Sequence, residues 1–403
     1  MKMAYKVSVQ SSIVPATSRA VLKIDASGNV EQRDDTTAGK KVITSTGSDV
    51  TWQEYPPVNI SRTKNFYVPQ ATGLSFLTPS VTRTTTFLGA VLGNDGYVYA
   101  VPFSGTPQIL RVKTMEGSTT YDLLTPTIAV GSSRLFHGAV YAQNNKIYFI
   151  PLTSATLLIY NTATNVYTSV NVGAGANKWT GGVLAPNGKI YCAPFNSTVV
   201  LIIDTSNDTI DTTTLTGFSG GGKYTGCVLS KEGNIYCIPF TATTILKIDT
   251  NTNTASTFGA FAGSQKWDGG CIGSDGVIYA TPYLSNVILA INTTTDTTSN
   301  IATGIVSPGA KWWGCTLAPN NRIYFTPYQY PDILELDLDT MGVALIATGF
   351  ATGGNLYSSS CLGLDGAVYF MPNLATDMLR YVPPRTQTGL ELQYCYSCYR
   401  NKF

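Results

Sequence analysis

The chain is poor in charge. Of its 403 residues, 12% are Asp, Glu, Lys or Arg, about half the usual share of a globular domain. Its formal net charge is +2, so no bulk field draws it to nucleic acid or to an acidic membrane. It has a single histidine, His137, and any Ser-His-Asp chemistry would rest on that residue alone. No apolar run reaches the length of a membrane-spanning helix. The opening MKMAYKVSVQSSIVPATSRA lacks the continuous apolar stretch of a secretory leader. Most of the eight cysteines lie inside a repeat, which points to small buried thiols and not to a disulfide scaffold. Cys395 and Cys398 make one Cys-x-x-Cys with no second pair beside it, short of the four ligands of structural zinc. The sequence implies no cofactor, no metal and no nucleic-acid partner.

What fills the gap is Tyr, Thr, Gly, Asn and Val, a β composition. A Tyr-x-x-Pro tetrad begins at Tyr99, Tyr148, Tyr191, Tyr236, Tyr279, Tyr324 and Tyr369, at intervals of 49, 43, 45, 43, 45 and 45 residues. Seven copies at this spacing match the period of a β-propeller blade. Three residues before each Tyr stands Gly or Asn, and before that Asp, Asn or Glu. Asp-Gly and Asn-Gly between apolar runs signal a hairpin. Ten residues before each Tyr is a glycine (Gly89, Gly138, Gly181, Gly226, Gly269, Gly314), replaced by Ser359 in the last copy. This column predicts crowding of the innermost strands round an axis. A third apolar run ending in Asp or Asn and a Thr-rich fourth run complete each unit.

The predicted fold is therefore all-β: a seven-bladed propeller of four-stranded blades over residues 71–385, with residues 1–70 as an N-terminal extended arm. The seventh copy lacks its fourth strand, and residues 74–78 are expected to supply it and close the ring. VLKID at 21–25 resembles a blade strand, and 386–403 alternates like a C-terminal strand or tail.

The strongest candidate site is the column twelve residues before each Tyr: Phe87, Phe136, Trp179, Tyr224, Trp267, Trp312 and Tyr357, with Lys178, Lys223, Lys266 and Lys311 preceding it in four consecutive copies. Such residues would sit where one blade crosses to the next, on the face that also carries Phe103, Phe195, Phe240, Tyr283 and Tyr328 after the prolines. Lysines and aromatics there suit a glycan or protein partner. The same column reads as packing between blades with lysine stems laid over the rings. His137 follows Phe136 directly, and Thr180, Asp268 and Trp313 hold the matching position in other copies. No nucleophile-elbow motif accompanies it, so no catalytic residue is assigned. With a two-residue turn, Cys227 falls opposite Ile238, and its sulfur would point away from Cys237.

The unit APNGKIYCAPFNSTVVLIIDTSNDT resembles the propeller repeats of the streptogramin-lyase and NHL-like group, which carry a similar PDG-x-I-W hairpin and a strand ending in Asp. In that lyase family, activity is associated with a His and with acidic metal-binding residues. Here Tyr-x-x-Pro replaces Trp-x-x-Glu in all seven copies, so the resemblance implies the fold without the lyase reaction. Tyr-x-x-Pro propellers also look like domains attached to phage and viral structural proteins. That likeness implies a non-enzymatic virion component whose arm holds other virion proteins in a larger assembly and whose propeller serves binding, including of a host-surface glycan or receptor. A cellular glycan-binding or adhesion propeller, extracellular or on the cell surface, is the alternative reading, and a lyase-type enzyme the third.

Overall fold

A computed structural model describes residues 73–77, 85–114, 121–127 and 133–384, together with the backbone of 20–24, 30–34, 41–46 and 49–54. The chain divides into two compact units, Met1–Lys64 and Asn65–Phe403. In the first unit Ala20–Ile24 pairs antiparallel with Val30–Asp34, and Lys41–Thr46 with Asp49–Glu54. The expected strand at VLKID thus forms one arm of a hairpin. The expected strand within 386–403, with Cys395 and Cys398, lies outside the described residues.

The second unit contains seven four-stranded antiparallel sheets. Their innermost strands are Thr86–Leu92, Phe136–Tyr141, Trp179–Leu184, Tyr224–Leu229, Trp267–Ile272, Trp312–Leu317 and Tyr357–Leu362. We number the blades 1 to 7 in that order. The Tyr-x-x-Pro strand is second from the axis in every blade. Gly73–Leu77 is the outermost strand of blade 7, with Gly73 opposite Val382 and Leu77 opposite Met378. The expected closure is therefore what the fold uses. Outermost strands such as Thr254–Phe258 and Thr297–Ala302 are largely exposed and Thr-rich, which suits a solvated edge.

The apolar core lies between the blades. One cluster joins Val140, Tyr148 and Ile159 of blade 2 to Trp179, Ile190 and Leu201 of blade 3. Each fully buried Ile or Leu contributes about 1.5–3 kcal/mol, so each blade gains its stability mainly by touching its neighbours.

The tetrad tyrosines and the turn residues form one device. Tyr279 and Tyr369 donate their hydroxyls to Asp275 and Asp365, at 2.7 and 2.9 Å. Asn144, Asn187 and Asn320 donate to Tyr148, Tyr191 and Tyr324 at 2.8–2.9 Å. Three phenols also reach the outer hairpin of the next blade: Tyr148 to Asp208, Tyr191 to Asn253 and Tyr236 to Asp296. A buried phenol needs a polar partner, and the turn four residues upstream supplies it.

Two expectations need correction. The hairpins between first and second strands have three-residue loops: Gly93 N–H donates to Tyr97 O at 2.8 Å, and Gly96 N–H to Gly93 O at 3.2 Å. A third loop residue, glycine or asparagine in the left-handed region, moves the register by one. Cys227 consequently faces Cys237, not Ile238. The inner glycine column also acts differently from expected. It marks a β-bulge just after the aromatic residue, with positive φ in all six glycines. Crowding is the cause at Gly89, where an added Cβ would come within 2.6 Å of Gly138 Cα. At Gly314 the nearest atom is 4.0 Å away and only the φ of +71° calls for glycine.

Candidate functional site

Of the two readings that the lysine and aromatic columns allow, an exposed ring and packing between blades, the structure shows packing. Trp179, Tyr224, Trp267, Trp312 and the four lysines Lys178, Lys223, Lys266 and Lys311 are all buried. The indole N–H groups of Trp179, Trp267 and Trp312 donate to Val199 O, Val287 O and Asp332 O at 2.8–2.9 Å. The lysines act as clamps between neighbouring blades. The Lys266 ammonium donates to Phe240 O, Ala242 O and Gly263 O at 2.9–3.1 Å. Lys223 does the same with Phe195 O, Ser197 O and Gly220 O. Lys178 reaches Ser154 O, and Lys311 reaches Leu284 O. Burial pulls all four amines below the usual lysine pKa. Lysine suits this place because its three donors match the loop carbonyls that converge there, of which Phe195 O and Phe240 O also accept the lysine's own backbone N–H. Leu135 and Leu356 fill the same place in blades 2 and 7, keeping only the backbone link, from Leu135 N–H to Phe103 O and Leu356 N–H to Tyr328 O.

One residue further along each inner strand, the chain faces the axis. This column reads Leu88, His137, Thr180, Thr225, Asp268, Trp313 and Ser358. Its hydroxyls stitch the ring: Thr180 donates to Tyr224 O at 2.8 Å, Thr225 to Trp267 O at 3.2 Å, and Ser358 to Phe87 O. His137 and Asp268 break that pattern. They line a common cavity of about 20 Å³ with Trp313 and Ser359, enough for one water-sized group. His137 is 6% and Asp268 2% exposed. His137 Nδ1 and Ser359 Oγ are buried with no hydrogen-bond partner. Burial pushes the Asp268 carboxyl up to about 8 and the His137 imidazole down to about 4. Near neutral pH both groups are therefore predominantly uncharged. Among the described residues no cluster of three metal-ligating side chains occurs.

Above this cavity runs an arc of rings from the loops that follow the prolines. Phe195, Phe240, Tyr283 and Tyr328 succeed one another at centroid distances of 5.9, 5.5 and 6.0 Å. Trp313 sets its ring edge-on to Tyr283 and Tyr328 at 5.5 and 4.6 Å, and lies 6.2 Å from His137. Phe195, Phe240, Tyr283 and Trp313 stay half-exposed. The Asp268 charge reinforces the burial that raises the Tyr283 and Tyr328 phenols. The loops and crossings on this face also expose Leu284, Val306 and Leu374. Of the candidate residues, the structure brings only His137 to this mouth. Asp268 and Trp313 share its column, and that shared position was the signal available in the sequence.

No protein family's sequence profile matches the chain, and no curated protein is similar to it in sequence. Solved structures share the fold. The structure of streptogramin B lyase is 16% identical, covering 76% of this chain and 96% of its own, with a TM-score of 0.65. The extracellular domain of a putative hybrid two-component system from B. thetaiotaomicron is 13% identical, covering 91% of this chain and 53% of its own, with a TM-score of 0.60. YCF48 bound to D1 peptide is 9% identical, covering 81% of this chain and all of its own, with a TM-score of 0.59. At such identities the likeness is one of fold alone. Propellers of this shape include a lyase, an extracellular sensor domain and a peptide-bound protein.

Proposed function

We propose that this chain is a non-enzymatic binding and assembly protein of a virion, whose propeller engages its partner, a host receptor or another virion protein, through the face carrying the aromatic arc. The observation that carries the binding part is that arc. Its rings touch one another in succession and stay partly exposed. Apolar surface that stays exposed in a contiguous row marks interaction sites. The virion setting draws its support from the sparse charge and the Thr/Asn/Gly-rich composition.

Against catalysis, the single histidine has an unpartnered Nδ1 and faces a space that admits one water-sized group. A base needs hydrogen-bond reach to a substrate proton, and no substrate-sized cleft lies beside it among the described residues.

The aromatic arc also favours a cellular glycan-binding propeller, because sugar faces stack on such rings. Two experiments separate the readings. Capsid or tail genes beside this gene, and recovery of the chain in purified particles, support the virion reading. Free secretion without particles overturns it. Binding to cells or particle proteins is expected to fall at least tenfold in a Phe240→Ala/Tyr283→Ala variant. Binding left intact by that variant removes the arc from the reading.

A further inference from the structure

We propose that the axial cavity under the aromatic arc is a receptor site for one primary ammonium group, the tip of a lysine side chain presented by the partner. This rests on the reading that the aromatic face binds, and it names the chemistry of what enters.

An ammonium has three N–H donors. Three acceptors line the cavity: the Asp268 carboxyl, whose raised pKa has burial as its sole cause, and the unpartnered Nδ1 of His137 and Oγ of Ser359, Nδ1 accepting in the tautomer that carries its proton on Nε2. Elsewhere in the ring the same chain already holds ammonium groups in this way. Lys223 and Lys266 each place Nζ among three oxygen atoms at 2.6–3.1 Å. Those clamps use backbone carbonyls of the preceding blade and of the crossing just before each lysine, whereas the axial cavity has acceptors from blades 2, 5 and 7 and no cation of its own. Its size discriminates. About 20 Å³ admits a group as large as water, which suits –NH3+ and excludes a guanidinium or a trimethylammonium. The wall and rim suit the rest of a lysine. Trp313 lines the cavity and would offer its ring to the charge, and Tyr283, which touches Trp313, and then Phe240 and Phe195 would receive the alkyl stem.

The charge balance supports the same occupant. The titratable groups facing Asp268 are His137, Tyr283, Tyr328 and the Cys315 thiol, and Arg134 acts on His137 from its own loop. None of the groups around the cavity offers Asp268 a compensating positive charge near neutral pH. Asp268 with a carboxyl pKa of about 8 holds its proton in the empty site. An entering ammonium favours the carboxylate, so the proton leaves to solvent. Ligand binding near pH 7 therefore releases close to one proton, and affinity rises with pH until the acid is ionised.

The test titrates the full chain with Nα-acetyl-lysine amide. Tryptophan fluorescence follows binding, and calorimetry in two buffers of different ionisation enthalpy counts protons. Nα-acetyl-arginine amide, the trimethyl-lysine analogue and Nα-acetyl-norleucine amide are the comparison probes. The expected result is saturable one-to-one binding of the lysine probe, at least tenfold tighter than the other three, with release of about one proton at pH 7. Asp268→Asn, checked for an unchanged thermal transition, should lose at least tenfold in affinity and all of the proton release. Equal binding of norleucine, tighter binding of the trimethyl or arginine probe, no saturable binding, or lysine binding without proton release each overturn the proposal. The last criteria use the wild-type chain, so they hold even if the variant folds poorly. If the lysine probe fails while the Phe240→Ala/Tyr283→Ala variant still loses its partner, the lysine inference falls and the binding face stands.

Discussion

Cys227 and Cys237 face one another across the first hairpin of blade 4, with their sulfurs 2.8 Å apart. Counting from the Ser230–Asn234 hydrogen bond, they occupy a non-hydrogen-bonded pair, where the strands approach most closely, to about 4.5 Å between Cα atoms. That spacing lies within the range a disulfide spans. Both thiols are buried, and burial raises the pKa of Cys227, so reaction in the folded state should be slow. Refolding in glutathione disulfide is expected to join them: each sulfur loses a hydrogen, and one glutathione disulfide is reduced to two thiols. A non-reducing tryptic map should then link the peptides on either side of Lys231. Recovery of both cysteines as alkylated thiols after that treatment would count against this pairing.

The lysine clamps predict a stability effect without a binding effect. In Lys266→Met the stem remains, but the carbonyls of Ala242 and Gly263 lose their lysine donor, while Phe240 O keeps the backbone N–H of residue 266. Such buried acceptors cost about 1–3 kcal/mol when left unpaired. An unfolding free energy from urea titration lowered by that amount, with partner binding unchanged, is the expected outcome.

Two glycines in one column should respond unequally to alanine. Gly89→Ala meets Gly138 Cα at 2.6 Å and strains φ at +116°. Gly314→Ala has space and carries only the φ penalty, about 1–2 kcal/mol. Thermal melting should show the first to be several times more damaging.

Asp268 and His137 predict opposite pH slopes. Folded Asp268 holds its proton up to about 8, whereas the unfolded side chain releases it near 3.8. Over that window the unfolded state binds fewer protons, so stability falls as pH rises, by at most about 1.4 kcal/mol per unit. Folded His137 takes a proton only near 4, against 6.5 unfolded, so its contribution is lost as pH falls from 6.5 to 4. The two oppose each other over that lower range, and Asp268 acts alone from about 6.5 to 8. Denaturation midpoints of the wild type should decline over the upper interval, while those of Asp268→Asn stay level. Parallel profiles would rule out a buried neutral acid at this position.

The ring was legible in the sequence because each blade solves the same local problem with the same residue types. Tyr279 needs a partner for its phenol, and Asp275 four residues upstream is that partner; the pair leaves a periodic trace. The loop length was not legible, since Asn-Gly and Asp-Gly serve two- and three-residue turns alike. The sequence left open whether Lys178, Lys223, Lys266 and Lys311 were exposed or packed, and the structure buries them. Their burial depends on carbonyls from the preceding blade, 24–28 residues away. His137, Asp268 and Ser359 share a cavity only after closure sets blades 2, 5 and 7 round one axis, and no local pattern encodes that meeting.

The strand Gly73–Leu77 has a bearing on how the molecule comes into being. Its partner Met378–Val382 lies roughly 300 residues later, a separation that makes pairing slow. On the ribosome six blades can stack in order of emergence, each on the one before. The seventh waits with an open edge until its own last strand is made and the oldest strand of the ring returns to it. The wheel therefore closes only once Met378–Val382 has been made and has met Gly73–Leu77.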